Sequence, residues 1–137
     1  MSNLPDGYST DATFDPAEDH IGPFYFKKVD DQWRFAFVAE TRHCNAFDMI
    51  HGGVLMTFAD FCLCLEATDH YAEESCVTVS FNCEFVAAGR KGDLVESTAE
   101  LVRKTRSMAF VRGTVFSAEQ TLLAYSAVVK LLKKDQV

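Results

Sequence analysis

The chain reads as one α+β domain in which an antiparallel sheet wraps around a single long helix. Three observations predict this. Residues from Gly52 to about Thr68 form one apolar run, too long for a typical strand, in which Val54 to Leu65 reads VLMTFADFCLCL. The segments before and after it alternate, or are rich in Val, Phe and Thr, with turn residues between them. A helix without a polar face must be covered on every side, and a sheet folded around it is the simplest cover. One sheet covers only part of such a helix, so a second subunit is expected over the rest.

Residues 1–20 are polar, with Pro5, Gly7, Asp15 and Pro16, and read as a loose arm holding one short helical turn. The division expected is an arm over 1–22 and a folded domain over 23–137. Phe24-Tyr25-Phe26 begins the first strand and Asp30-Asp31 a turn. Trp33, Phe35 and Phe37 then alternate with Arg34 and Ala36 as a second strand. Thr41 to Met49 is a polar loop. After the helix, Cys76 to Val86 is a Val- and Phe-rich strand, and Gly89 to Gly92 a turn. Asp93 to Val102, Met108 to Phe116 and Thr121 to Leu132 follow as strands, the last two joined by a hairpin at Ser117 to Gln120.

The length of 137 residues suits one domain with one core. Twelve Phe point to a sheet-rich core or an apolar acyl pocket. A net charge of −7 argues against nucleic acid or an anionic membrane surface as partner. Five Cys form no framework and read as free thiols of a reducing cytoplasm. No signal-peptide pattern or membrane-spanning apolar run is expected. Cys62-x-Cys64 places its thiols on different sides of a helix, so no metal site is expected. His43 beside Cys44 is a weak candidate for a nucleophile and its base.

Asp60 is the only charge between Val54 and Leu65. Burying an ionised carboxylate without partners costs several kcal/mol, which points to chemistry rather than packing. A buried carboxylate satisfied by backbone or hydroxyl donors is the plainer alternative. The run opens with His51-Gly52-Gly53, and Asn45 stands upstream. A helix start offers unpaired N–H groups to a carbonyl oxygen gaining charge, and glycines there allow close approach. Asn45 adds a side-chain donor. His51 either donates to the acyl group or orients the loop. Asp60 lies eight residues beyond Gly52, about 12 Å along the axis at 1.5 Å per residue. Two antiparallel helices around a two-fold axis would bring Asp60 of one subunit to Asn45, His51 and Gly52 of the other.

The string Asn45-Ala-Phe-Asp-Met-Ile-His51-Gly52-Gly53, followed by Asp60, resembles the motif of hotdog-fold acyl-CoA thioesterases of the PaaI-like, phenylacetate-degradation branch. The resemblance spans roughly residues 24–133. Val77 to Asn82 resembles the family's next strand and Gly92-Asp93 its following turn. It implies a hotdog domain over 23–137 that hydrolyses an acyl-CoA thioester. Asp60 would be the general base or nucleophile, with the Gly52 N–H and Asn45 polarising the carbonyl. His51 would support the loop and acyl end, and Thr78 would hold water or Asp60. Gly53 belongs to the substrate-binding turn. The CoA is substrate, and no separate cofactor is implied. A homodimer or homotetramer with sites at the dimer interface follows. Asp48 stands where many relatives have Gly, and Asp tolerates the left-handed turn better than most residues. Lys104-Thr105-Arg106 replaces the usual Gly-Arg turn.

Arg90, Lys91, Lys104 and Arg106, with Arg103, are candidate cations for the CoA phosphates, although turn cations are ordinarily just solvated. Met49, Phe58, Phe61 and Phe81 are candidates for an acyl pocket, with core packing the alternative for each. Two other functions fit the resemblance: a hotdog domain that binds an acyl-CoA without turnover, and an enoyl-CoA hydratase. The hydratase uses a differently spaced Asp/His motif that is absent from the sequence.

Overall fold

The computed structural model describes residues 4–134; the ends of the expected arm and domain, 1–3 and 135–137, lie outside the described residues. Elements follow in the order α1 (Pro16–Ile21), β1 (Tyr25–Val29), β2 (Gln32–Val38), α2 (Gly52–Thr68), β3 (Glu74–Phe85), β4 (Leu94–Lys104), β5 (Met108–Ser117) and β6 (Gln120–Lys133). The strands form one antiparallel sheet in the order β1-β2-β4-β5-β6-β3. Asp30 and Asp31 take φ of 51° and 65° between the paired residues Val29 and Gln32. That is the two-residue turn whose twist matches a hairpin.

The sheet wraps around α2. Phe35, Phe37, Phe58, Leu63, Val95, Val115, Leu123 and Val129 fill the space between them. The second half of α2 is buried on nearly all sides, as the apolar run predicts. The first half is not: Gly53 and Met56 are exposed, and Asp60 is half-buried on the same stripe. Within one chain the sheet thus covers only part of the helix, as expected. β3 is the last strand of the sheet, and Val77, Val79, Phe85 and Val86 are exposed on or beside it. No helix among the described residues is long and apolar enough to cross a membrane.

The arm is tied down rather than loose. Ser9 bridges Phe26, the Asp11 carboxylate meets His70 Nε2 at 2.5 Å, and Phe14 packs on Tyr71. Asp15 caps α1 by accepting from the Glu18 N–H at 3.0 Å, with Pro16 pre-set for the first turn. Arg42 donates to the carbonyls of His20, Ile21 and Gly22. Buried His43 accepts the Glu40 N–H at Nδ1, so Nε2 carries the proton and donates to Ile21 O at 2.7 Å. Backbone partners supply most of this grip, and they leave no mark in the arm's polar sequence.

Candidate active site

Two sets of groups gather on α2. At its start, His51 is the N-cap: Nδ1 accepts the Gly53 N–H at 3.0 Å. Its own N–H donates to His43 O at 2.9 Å. His51 thereby orients the turn, one of the two roles expected of it. Among the described residues the Gly52 N–H has no acceptor. It stays available for a ligand oxygen at the positive end of a helix of 17 residues.

The Asn45 side chain folds the preceding loop. Its Oδ1 accepts the N–H groups of Phe47 at 2.9 Å and Met49 at 3.2 Å. The amide oxygen is spent on the backbone, so the Nδ2 hydrogens remain for another acceptor. Asp48 sits at φ 58°, the left-handed geometry it was expected to tolerate. Asn45, Met49, Ile50, Gly52 and Leu55, with Phe85 to Gly89, line an open groove of about 340 Å³. The Phe85 ring lies over Gly52, so a Cβ there would meet it at 3.0 Å.

The second set lies further along. Thr78 Oγ1 on β3 donates to Asp60 Oδ1 at 2.6 Å, and Cys64 Sγ stands 3.9 Å from the same oxygen. Burial raises Asp60 above the usual carboxylate range, the Thr78 hydroxyl opposes this, and the Asp15 charge adds to the rise. On α1, half-buried Glu18 is pushed up to about 8 by burial first, then by Asp15, Asp60 and Asp19. The sequence gives Glu18 no sign of a role and brings Cys64 up only as a metal ligand in Cys62-x-Cys64. The spacing Asp15 to Glu18 marks a helix start, but nothing local says that Glu18 faces Asp60.

Within one chain the two sets stay apart, and Asp60 does not line the groove that holds Asn45 and Gly52. The candidate cations divide as well. Met49 bridges Arg90, and the Lys91 N–H donates to Asp48 O, which sets both residues beside the Asn45 loop. Lys104 instead donates to Ala67 O at 2.8 Å and pairs with Glu74 at 2.9 Å, at the far end of α2. Arg106 is exposed in the β4–β5 turn near it. Of the four pocket candidates, Met49 alone lines the groove. Phe58 and Phe61 pack with Phe24 in the core, and Phe81 stacks on Tyr125.

The family model described as thioesterase superfamily matches residues 47–124, more than half of the chain and the whole of α2. The chain belongs to the thioesterase superfamily. A Pseudomonas aeruginosa protein that bears the name of an esterase is 29% identical over 133 residues, covering 96% of this chain and 99% of that one. The fold of this thioesterase-superfamily chain is the α+β hotdog. The PaaI protein from the phenylacetic acid degradation operon of E. coli aligns over 85% of this chain and 84% of that one, with a TM-score of 0.74 at 14% identity. A Bacillus halodurans protein solved with CoA aligns over 90% of this chain and 83% of that one, with a TM-score of 0.77 at 17% identity.

Proposed function

We propose that this thioesterase-superfamily hydrolase cleaves an acyl-CoA thioester to free acid and CoA, with Asp60 as the catalytic carboxylate. The observation that carries the reading is the 2.6 Å bond from Thr78 to Asp60, a carboxylate set among the apolar residues of α2. It holds Oδ1 and leaves Oδ2 to act. Burial gives that oxygen more basicity than a solvated carboxylate has. Oδ2 takes a proton from water as the water attacks the thioester carbon. The carbonyl oxygen gains charge and is met by the Gly52 N–H and Asn45 Nδ2. The C–S bond then breaks, and the CoA sulfur leaves with the proton returned from Asp60. Direct attack by Oδ2, through an anhydride later opened by water, uses the same groups.

The roughly 12 Å between Gly52 and Asp60 along α2 asks for a second copy. The open stripe of Gly53, Met56 and Asp60 and the exposed apolar edge of β3 support a homodimer. In it, Asp60 faces Asn45 and Gly52 of the partner subunit, which makes two equivalent sites. Arg90 and Lys91 are the cations best placed for CoA phosphates. A CoA-bound protein of the same fold supports that substrate class. Five unpaired thiols suit the cytoplasm.

The test is thiol release across aryl- and alkyl-CoA thioesters, with Asp60→Ala alongside. Turnover is expected on part of the panel, with a loss of roughly 10²–10⁴-fold or more in the variant. Near-full activity in the variant overturns the role of Asp60. A folded dimer that releases no thiol but binds acyl-CoA overturns the hydrolysis and leaves a binding domain.

A further inference from the structure

Asp60 and Thr78 form one rung between α2 and β3, and two thiols form the next. Four residues along a helix advance about 6 Å and return to the same face. Two residues along a strand advance about 6.6 Å and also return to the same face. With Asp60 set on Thr78, this arithmetic sets Cys64 on Cys76. Cys64 Sγ lies 3.6 Å from Thr78 Oγ1 and 3.9 Å from Asp60 Oδ1, and a side-chain hydrogen bond to Cys76 brings the fourth member in. Both cysteines are free.

We propose that Cys64 and Cys76 are a reversible dithiol that takes a hydroperoxide, and that the resulting disulfide slows the adjacent Asp60 site. The two thiols are unlike. A hydrogen bond from Cys64 holds the Cys76 thiol below its ordinary range, against the opposing effect of burial. The same bond, with burial, pushes Cys64 well up. Cys76 is also the more accessible of the two. Cys76 therefore attacks first. Its thiolate sulfur bonds the terminal peroxide oxygen, the O–O bond breaks, and the other oxygen leaves after protonation, as water from hydrogen peroxide or as the alcohol from an organic hydroperoxide, giving a sulfenic acid. Cys64 sulfur then attacks Cys76 sulfur; the S–S bond forms, the S–O bond breaks, and the Cys64 proton departs with that oxygen as water. The thiols lose two electrons and the peroxide gains them.

The bridge removes the Cys64 S–H from beside Asp60 Oδ1 and draws α2 toward β3 at the neighbouring rung. A misplacement of about 1 Å costs on the order of 10²-fold in rate. The chemical step stands apart from the thioesterase reading, whereas its effect on turnover rests on that reading.

The full chain is exposed to hydrogen peroxide, capped with an alkylating agent and cleaved after glutamate. Glu66, Glu73 and Glu74 separate the two cysteines, so a bridge joins two peptides in the mass spectrum. The expected result is a Cys64–Cys76 cross-link that forms before Cys44 or Cys83 reacts. Dithiothreitol should reverse it, and Cys76→Ser should abolish it. Thioester turnover should fall on the order of 10²-fold with the cross-link and recover with the reductant. Oxidation of Cys44 or Cys83 with Cys64 and Cys76 still alkylated overturns the dithiol. A complete cross-link with unchanged turnover overturns the switch while leaving the thioesterase reading intact.

Discussion

Replacing Thr78 with Val removes one hydroxyl and keeps the β-branched shape that suits β3. What is lost is the 2.6 Å bond from Thr78 Oγ1 to Asp60 Oδ1. A hydrogen bond to a charged group contributes about 1.5–3 kcal/mol, and about 1.4 kcal/mol corresponds to one pH unit of titration. The bond favours the ionised carboxylate and opposes the burial that raises its pKa. Asp60 keeps part of its surface in water, so the lower end of the range applies, roughly one pH unit. In the proposed mechanism Asp60 works ionised, so turnover should climb with pH through its pKa. In Thr78→Val that climb should move about one pH unit higher while the plateau above it largely survives. The assay is kcat/KM against pH, followed by loss of thioester ultraviolet absorbance. Thr78→Ser, which keeps the donor, should restore the original limb. An acid limb that stays in place, or a uniform loss at every pH, would refute the reasoning, because then the hydroxyl does not act through the charge on Asp60.

The remaining predictions concern the oxyanion donors, the acidic arm and the sheet. Asn45→Ala should lower kcat roughly 10²–10³-fold, as loss of one oxyanion donor does; it also removes the Oδ1 bonds that fold the loop, so Asn45→Asp, which keeps them, should be similarly impaired. Glu18, raised from 4.5 to about 8, holds its proton in the folded chain over a range where the unfolded chain has lost it. Its contribution to stability is thus complete below about 4.5 and lost as pH rises through about 8. Melting temperature across that window should slope downward, and Glu18→Gln should flatten the slope. A Cβ on Gly113 would collide with the Thr98 carbonyl and lie 2.6 Å from Tyr125 Oη. Gly113→Ala should therefore destabilise the fold by roughly 1–3 kcal/mol, read from the urea midpoint.

The sequence by itself determined what depends on neighbours along the chain. The bounds of α2, Gly52 to Thr68, follow from one long, mainly apolar run that starts at a His-Gly-Gly cap. The strands follow from alternation, and the left-handed turn at Asp48 from the tolerance of that side chain. Asp60 was legible as a candidate site because a charge amid the apolar stretch from Val54 to Leu65 conflicts with burial, and that conflict is local. The tertiary structure decided everything that required partners far apart in sequence. It set Thr78 on Asp60 across 18 residues, a meeting that needs β3 at the sheet edge in one register. A slip of one residue would have turned the hydroxyl away. It spent Lys104 on the end of α2, 37 residues distant from Ala67 in sequence, although its charge alone had suited a phosphate. It bound the polar arm through backbone carbonyls and brought Glu18 to Asp60. It also left the first half of α2 open. Side-chain periodicity records which face of an element is apolar, whereas which element covers that face depends on strand order and crossings over the whole chain.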